Sequence, residues 1–273
     1  MPGYLPSSLG GHVSVSALRP VTGLLRETGN FAAVSVDTVR AAFRPGFQFK
    51  EFVRQCWFIA SVSILPTCLV AIPFGAIIAL QTGALIRQLG AVSLNGGASV
   101  IAVVREAGPI VTAIVIAGAA GSAICADLGA RKIRDEIDAM EVLGISPLQR
   151  LVVPRVAAMM LVSVLLNGLV SVVGVMGGYF FSVVVQHGTP GPYFASFTEL
   201  AQIPDLIQAE IKALVFGLIA GLMASYKGLT AKGGPKGVGD AVNQSVVFTF
   251  MLLFAVNFAA TAVYNQIVPQ KAL

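Results

Sequence analysis

RKIRDEIDAMEVLGISPLQRLVVPR, from Arg131 to Arg155, is the stretch that decides how this chain is read. It holds five basic and four acidic residues, and it lies between long runs that carry almost no charge. Ionised side chains are costly at bilayer depth, so a segment this polar between two apolar runs has to lie outside the hydrocarbon. It is therefore a solvated loop or a docking surface.

The rest of the composition sets the class. Hydrophobic residues make up 56% of the chain and charged residues 11%, with a mean hydropathy of +0.82. A soluble domain carries about a quarter charged residues, so this is a membrane protein. Apolar runs long enough to cross a roughly 30 Å core predict five spans, at about 55–86, 98–128, 150–186, 206–226 and 241–268. Residues 55–86 carry no formal charge and would make a helix about 48 Å long, so tilt or breaks at Pro66 and Pro73 have to absorb the excess.

Ahead of the spans, residues 1–22 are rich in Gly, Pro and Ser and predict a flexible amino terminus with no cleavable signal peptide. Residues 23–54 predict interfacial helices. Val36, Val39 and Phe43 recur at helical spacing among charged residues, which marks an amphipathic helix. Past the Pro45-Gly46 break, Phe47, Phe49, Phe52 and Trp57 alternate with Lys50 and Arg54, a mixture suited to an elbow helix at headgroup level. The segment QHGTPGPYFASFTELAQIPD, between spans three and four, reads as a loop, as does YKGLTAKGGPKGVGD between spans four and five. Lys212, near the start of the fourth span, is expected to snorkel to the interface. Gly217 and Gly221 form a GxxxG pair, and AGAAGSA (Ala117 to Ala123) spaces small residues four apart; both are packing signals.

Fourteen basic residues fall on one side of these spans, whereas the other side holds only Arg87 and Lys271. Retention of basic residues on the inner side places the amino terminus, the 131–155 segment and the 227–239 loop in the cytoplasm and the carboxyl terminus outside. The net charge of +5 thus reads as topology, and nucleic acid is not expected as a partner.

Catalytic patterns are missing. GGPKGVG lacks the GK[ST] of a P-loop, and no GxSxG or HExxH is present. His12 and His187 have no metal ligands at suitable spacing, and Cys56, Cys68 and Cys125 form no CxxC pair and read as apolar packing residues. No catalytic residue, metal or cofactor is expected in this chain. Any energy for transport must come from another chain.

Two polar features remain. Arg105 and Glu106 precede Gly108-Pro109 near the outer end of the second span. Adjacent helical residues point about 100° apart, so each needs its own partner; they either belong to a substrate pocket or lie in the outer headgroup layer. In the opening stretch, Ile133, Ile137 and Met140 share one stripe flanked by Asp135, Asp138 and Glu141, with Gly144 and Pro147 as stop signals. That short amphipathic helix either inserts into a partner's groove or packs on the membrane or its own protein.

The run from Arg105 to Arg155 resembles the signature region of the MlaE/YrbE family, permease subunits of ABC lipid transporters that work with Mce proteins. The matching motifs are E-x-G-P at Glu106, Gly108 and Pro109, EIDAMEVLGI at Glu136 to Ile145, P-L at Pro147-Leu148, and L-V-x-P-R at Leu151 to Arg155. ICADLGAR and LTAKGGPKGVG are most similar to the A-type YrbE proteins of actinobacteria. The resemblance implies an all-α integral membrane protein with five transmembrane helices, an amino-terminal interfacial helix, and residues 55–273 as the permease domain. It implies a coupling helix at about 131–144, on the cytoplasmic side between spans two and three, docking an ATPase through Arg134, Asp135, Glu136, Ile137, Asp138, Met140, Glu141 and Gly144. It implies a lipid pocket near Arg105, Glu106 and Pro109.

The implied partners are a second permease chain, two ATPase subunits that bind ATP and Mg, and Mce proteins on the outer side of the plasma membrane. The implied cargo is fatty acids, sterols or other envelope lipids, moved inward. Many family members carry an Arg where this chain has Ala119, and a Met where it has Ala130-Arg131; those departures fit a pair of unlike permease chains. A membrane scaffold that anchors Mce proteins without transport is the competing expectation.

Overall fold

The computed structural model describes residues 19–88, 90, 95–185 and 189–267, and among these every regular element is helical. The expectation for residues 1–18 and for the end of the chain lies outside the described residues, as do His12 and His187.

α1 (Arg19–Ala42) is the amphipathic helix. Thr38 and Ala41 turn inward, Phe31 stacks edge-on against Tyr226 with ring centroids 5.7 Å apart, and Glu27 pairs with the buried Lys227 of the fourth span. Val36, Val39 and Phe43 face away from the protein. α1 thus has two working faces: one packs on the bundle, the other offers an apolar stripe outward.

α2 (Phe49–Gln88) is a single 40-residue helix with Pro66 and Pro73 inside it. The elbow and the first span, expected as separate helices, are one. No breaker stands between Lys50 and Ile64, and a helix of about 60 Å carries its charged first turns beyond the hydrocarbon without a bend.

The second span is a relay: α3 (Asn95–Ala102), a π-helical turn Val103–Ala107, α4 (Gly108–Val115), a second π-helical segment Ile116–Gly121, and α5 (Ser122–Ile133). A left-handed residue, Asp135 at φ 58°, then breaks the chain before α6 (Glu136–Val142). The coupling segment, expected as one helix over about 131–144, is therefore the end of a span plus a separate short helix. α7 (Val153–Tyr179), entered through π-helical Leu148–Val152, is the third span. α9 (Ile203–Leu229) and α10 (Gly234–Ile267) are the fourth and fifth.

Two expected loops hold helix. α8 (Pro190–Leu200) forms where Gly and Pro suggested irregular chain, and α10 starts at Gly234 with Pro235 in its first turn. Proline is well placed at the first helical position, where its missing N–H has no partner to lose, so these prolines start helices rather than interrupt them.

Spans two, three and four form the centre, where Ile116, Ile124, Leu128, Met159, Leu166 and Ala220 share one buried cluster. α7 and α9 meet along the GxxxG pair. A Cβ built at Gly217 would stand 2.6 Å from the Met159 carbonyl oxygen, so only glycine admits this approach. α10 lies at the periphery, with 11% of its most apolar window buried.

Candidate functional site

Arg105 and Glu106 sit in the π-helical turn Val103–Ala107, and both reach the same two helices, α9 and α10, through different residues. Arg105 donates from Nη2 to Asn265 Oδ1 at 3.0 Å, and its Nε lies 3.6 Å from Asp205 Oδ1. Its guanidinium carbon stands 4.5 Å from the centroid of the Tyr264 ring, and the Tyr264 hydroxyl donates to Asp205 at 2.7 Å. Glu106 takes a separate set. Lys212 Nζ lies 3.3 Å from its carboxylate and donates to the Thr261 hydroxyl at 2.7 Å, which donates to Glu106 at 3.1 Å.

Two ion pairs thus stand side by side and tie spans two, four and five together. Two cations and two carboxylates leave the cluster neutral, the condition under which charges persist among apolar helices. Lys212, expected to snorkel outward, is only 2% exposed and points inward to Glu106. Its stem starts two turns inside the span, so the nearest charge partner is across the bundle rather than in the headgroups.

Next to this network lies an apolar cavity of about 460 Å³. Val104 of span two, Ser171 and Val175 of span three, Phe197 of α8, and Asp205 and Leu206 of span four contribute to its wall. The Ser171 hydroxyl is closed off from the cavity and has no hydrogen-bond partner among the described residues. Arg105, Glu106 and Pro109 do not line this cavity; Arg105 reaches it through Asp205, and Pro109 is buried in the first turn of α4. Asp205 and Ser171 were missed in the sequence. Asp205 and Lys212 are seven residues apart, hence on one face of a helix, and that spacing was the available signal.

At the opposite end of the bundle, α6 is fixed by charge. Arg155, 1% exposed, holds Asp127 at 2.6 Å and the Leu151 carbonyl at 2.8 Å, with Glu51 at 3.9 Å. Arg131 bridges Asp127 at 3.2 Å and Glu136 at 3.7 Å; Arg134 also holds Glu136, and Lys132 pairs with Asp138. At its far end α6 closes in a Schellman motif, with Ile145 N–H on Met140 O and Gly144 N–H on Glu141 O, and Gly144 at φ 73°.

The apolar stripe of this helix faces home. Ile137 is 4% exposed and belongs to the central core, and Met140 packs against that core. Val142 and Leu143 instead stand out at 88% and 74% exposure, beside the exposed Glu141. Of the two readings of the stripe, packing on its own protein is what the structure has.

Five helices long and apolar enough to cross a membrane, three of them joined by a neutral charge cluster, define a multi-pass membrane protein. The chain belongs to the MlaE permease family: the model described as Permease MlaE matches residues 52–263. A probable ABC transporter permease protein of Rickettsia bellii is 28% identical over 244 residues, 89% of this chain and 94% of the relative. One of Synechocystis sp. is 35% identical over 184 residues, 67% of this chain and 70% of the relative. The Arabidopsis thaliana protein TRIGALACTOSYLDIACYLGLYCEROL 1, chloroplastic, is 32% identical over 184 residues, 66% of this chain and 53% of its own length. The chain is accordingly a permease subunit of an ABC transporter.

Proposed function

We propose that this permease moves hydrophobic lipids (fatty acids, sterols or other envelope lipids) inward across the plasma membrane, together with Mce proteins on the outer side. The observation that carries the reading is the 460 Å³ cavity, whose wall is almost wholly apolar. A long apolar ligand suits such a lining. A lipid, trigalactosyldiacylglycerol, stands in the name of the Arabidopsis relative, which supports the class of cargo.

Two ATPase subunits, carrying ATP and Mg, dock on the side of α6, and the coupling surface is Glu141, Val142 and Leu143 together with the charged flank Arg134, Asp135, Glu136 and Asp138. That side is cytoplasmic by the distribution of basic residues, with the carboxyl terminus outside. A second, unlike YrbE-type permease chain completes the membrane part; the sparsely buried α10 supports a partner there.

Native mass spectrometry of the gently solubilised assembly tests the proposal. A second permease chain, an ATPase and a Mce protein are expected to co-purify, with a retained lipid that a Ser171→Phe variant loses. An assembly lacking the ATPase would favour the scaffold, and lipid retention unchanged by Ser171→Phe would remove this cavity from the transport route.

A further inference from the structure

On the side of α6, where the first three spans meet, a second cavity of about 350 Å³ is lined by Gln48, Lys50, Glu51 and Arg54 from the start of the first span, Arg131 from the end of the second, and Arg150 with Leu151 from the start of the third. Four cations share it with one carboxylate. Glu51 is already engaged: it accepts a hydrogen bond from Gln55 at 2.8 Å and lies 3.6 Å from Arg54 and 3.9 Å from the buried Arg155. Arg131 is held by Asp127 and Glu136. Lys50 and Arg150, from different spans, have no ion-pair partner among the described residues.

A concavity with two uncommitted cations and two more within reach is short of negative charge. Arginine forks match the oxygens of a phosphate, and lysine adds a point charge, so the missing group has the chemistry of a phosphate. The surrounding residues point to the source. Exposed Phe49 and Trp57 stand on the same helix and exposed Phe47 just before it, a mixture of rings and cations that marks the headgroup level of a bilayer. We propose that this cavity binds the phosphate of an anionic phospholipid from the surrounding leaflet, a resident lipid distinct from any transported one. Basic pockets between spans take such headgroups. Because Arg131 contacts both the cavity and Glu136, the bound phosphate shares a cation with the first residue of α6.

The test uses the full chain purified in mild detergent, titrated with phosphatidylglycerol, phosphatidylcholine or inorganic phosphate and read by native mass spectrometry. Phosphatidylglycerol is expected to bind about tenfold or more tightly than phosphatidylcholine. Lys50→Ala with Arg150→Ala is expected to abolish that preference, while Lys232→Ala with Lys236→Ala, which removes equal charge from exposed positions outside the cavity, leaves it intact. Both residues of the first pair are exposed and unpaired, so an unchanged elution profile and circular dichroism spectrum are expected. Equal loss in the two double variants, or a preference that survives the first, overturns the site. Saturation by inorganic phosphate without any preference for phosphatidylglycerol assigns the cavity to free phosphate and overturns the lipid.

Discussion

Lys212 Nζ lies 3.3 Å from Glu106 Oε1, inside the bundle and across from the span that carries it. The lysine side chain is 1% exposed, so a full charge is held in place by one carboxylate, one hydroxyl and the Arg105 carbonyl. Removing one partner of such a pair leaves the other uncompensated, whereas removing both does not. Lys212→Met is expected to cost about 2–3 kcal/mol, the low end for a buried pair because Glu106 is 36% exposed and can draw on solvent or headgroups. The double variant Glu106→Gln, Lys212→Met should recover most of that loss. Thermal unfolding in detergent checks both, and a double variant less stable than the single would contradict the pairing.

The contact of α7 with α9 makes a sharper steric prediction. At Gly217 a new Cβ meets the Met159 carbonyl and the Met160 Cα, which are backbone atoms and cannot rotate away. At Gly118 of the second span nothing lies within 4 Å. Gly217→Ala should therefore lower the unfolding temperature markedly, while Gly118→Ala should leave it unchanged or slightly raised by the better helix propensity of alanine. Equal shifts in the two variants would mean that the helices are not pressed together at Gly217.

These two cases show what the sequence does and does not contain. The five spans are legible because charge-free runs have a length set by the bilayer, and Gly217 with Gly221 is legible because small residues four apart serve one purpose in a membrane helix. α8 is hidden because Pro190, Gly191 and Pro192 look like loop residues until one knows that a helix begins there. Periodicity put Ile137 and Met140 on one stripe of α6, but a stripe carries no record of what covers it. Partners between distant spans, such as Asp205 for Arg105, depend on the packing of the bundle and so are invisible to local patterns.

Tyr193, on α8 and outside the five spans, supplies a pH test. Burial first, and the neighbouring Tyr179 second, push its phenol up from 10.0 to about 12. The neutral form is thus favoured in the folded protein, and its contribution is fully present below pH 10 and lost as pH rises toward 12. Ultraviolet titration of the tyrosines should show a late-titrating component whose amplitude falls by one tyrosine in Tyr193→Phe. Because the hydroxyl has no hydrogen-bond partner among the described residues, that variant should be as stable as the parent at neutral pH and less sensitive above pH 10. A wild-type titration with all tyrosines near their ordinary value would contradict the burial of this ring.

The exposed end of α6 gives the cleanest test of coupling. Charge reversal at Glu136 or Asp138 is expected to uncouple the ATPase, but these residues are bonded to Arg131, Arg134 and Lys132, so it also disturbs the fold of α6 itself. Val142 and Leu143 carry no such ambiguity. At 88% and 74% exposure they contribute little to the folded chain, and two large apolar side chains left in solvent on a short, charge-braced helix have the character of contact residues awaiting a partner. Val142→Asp with Leu143→Asp should leave the unfolding temperature within experimental scatter while ATPase co-purification falls by tenfold or more and transport is lost. Ile137→Asp should do the reverse in order, unfolding the helix from the core first, because it buries a charge in the central cluster. If the aspartate pair at positions 142 and 143 leaves ATPase capture and transport at the parental level, the ATPase grips some other part of the chain, and the charged network of Arg131, Arg134 and Arg155 braces α6 for a different purpose.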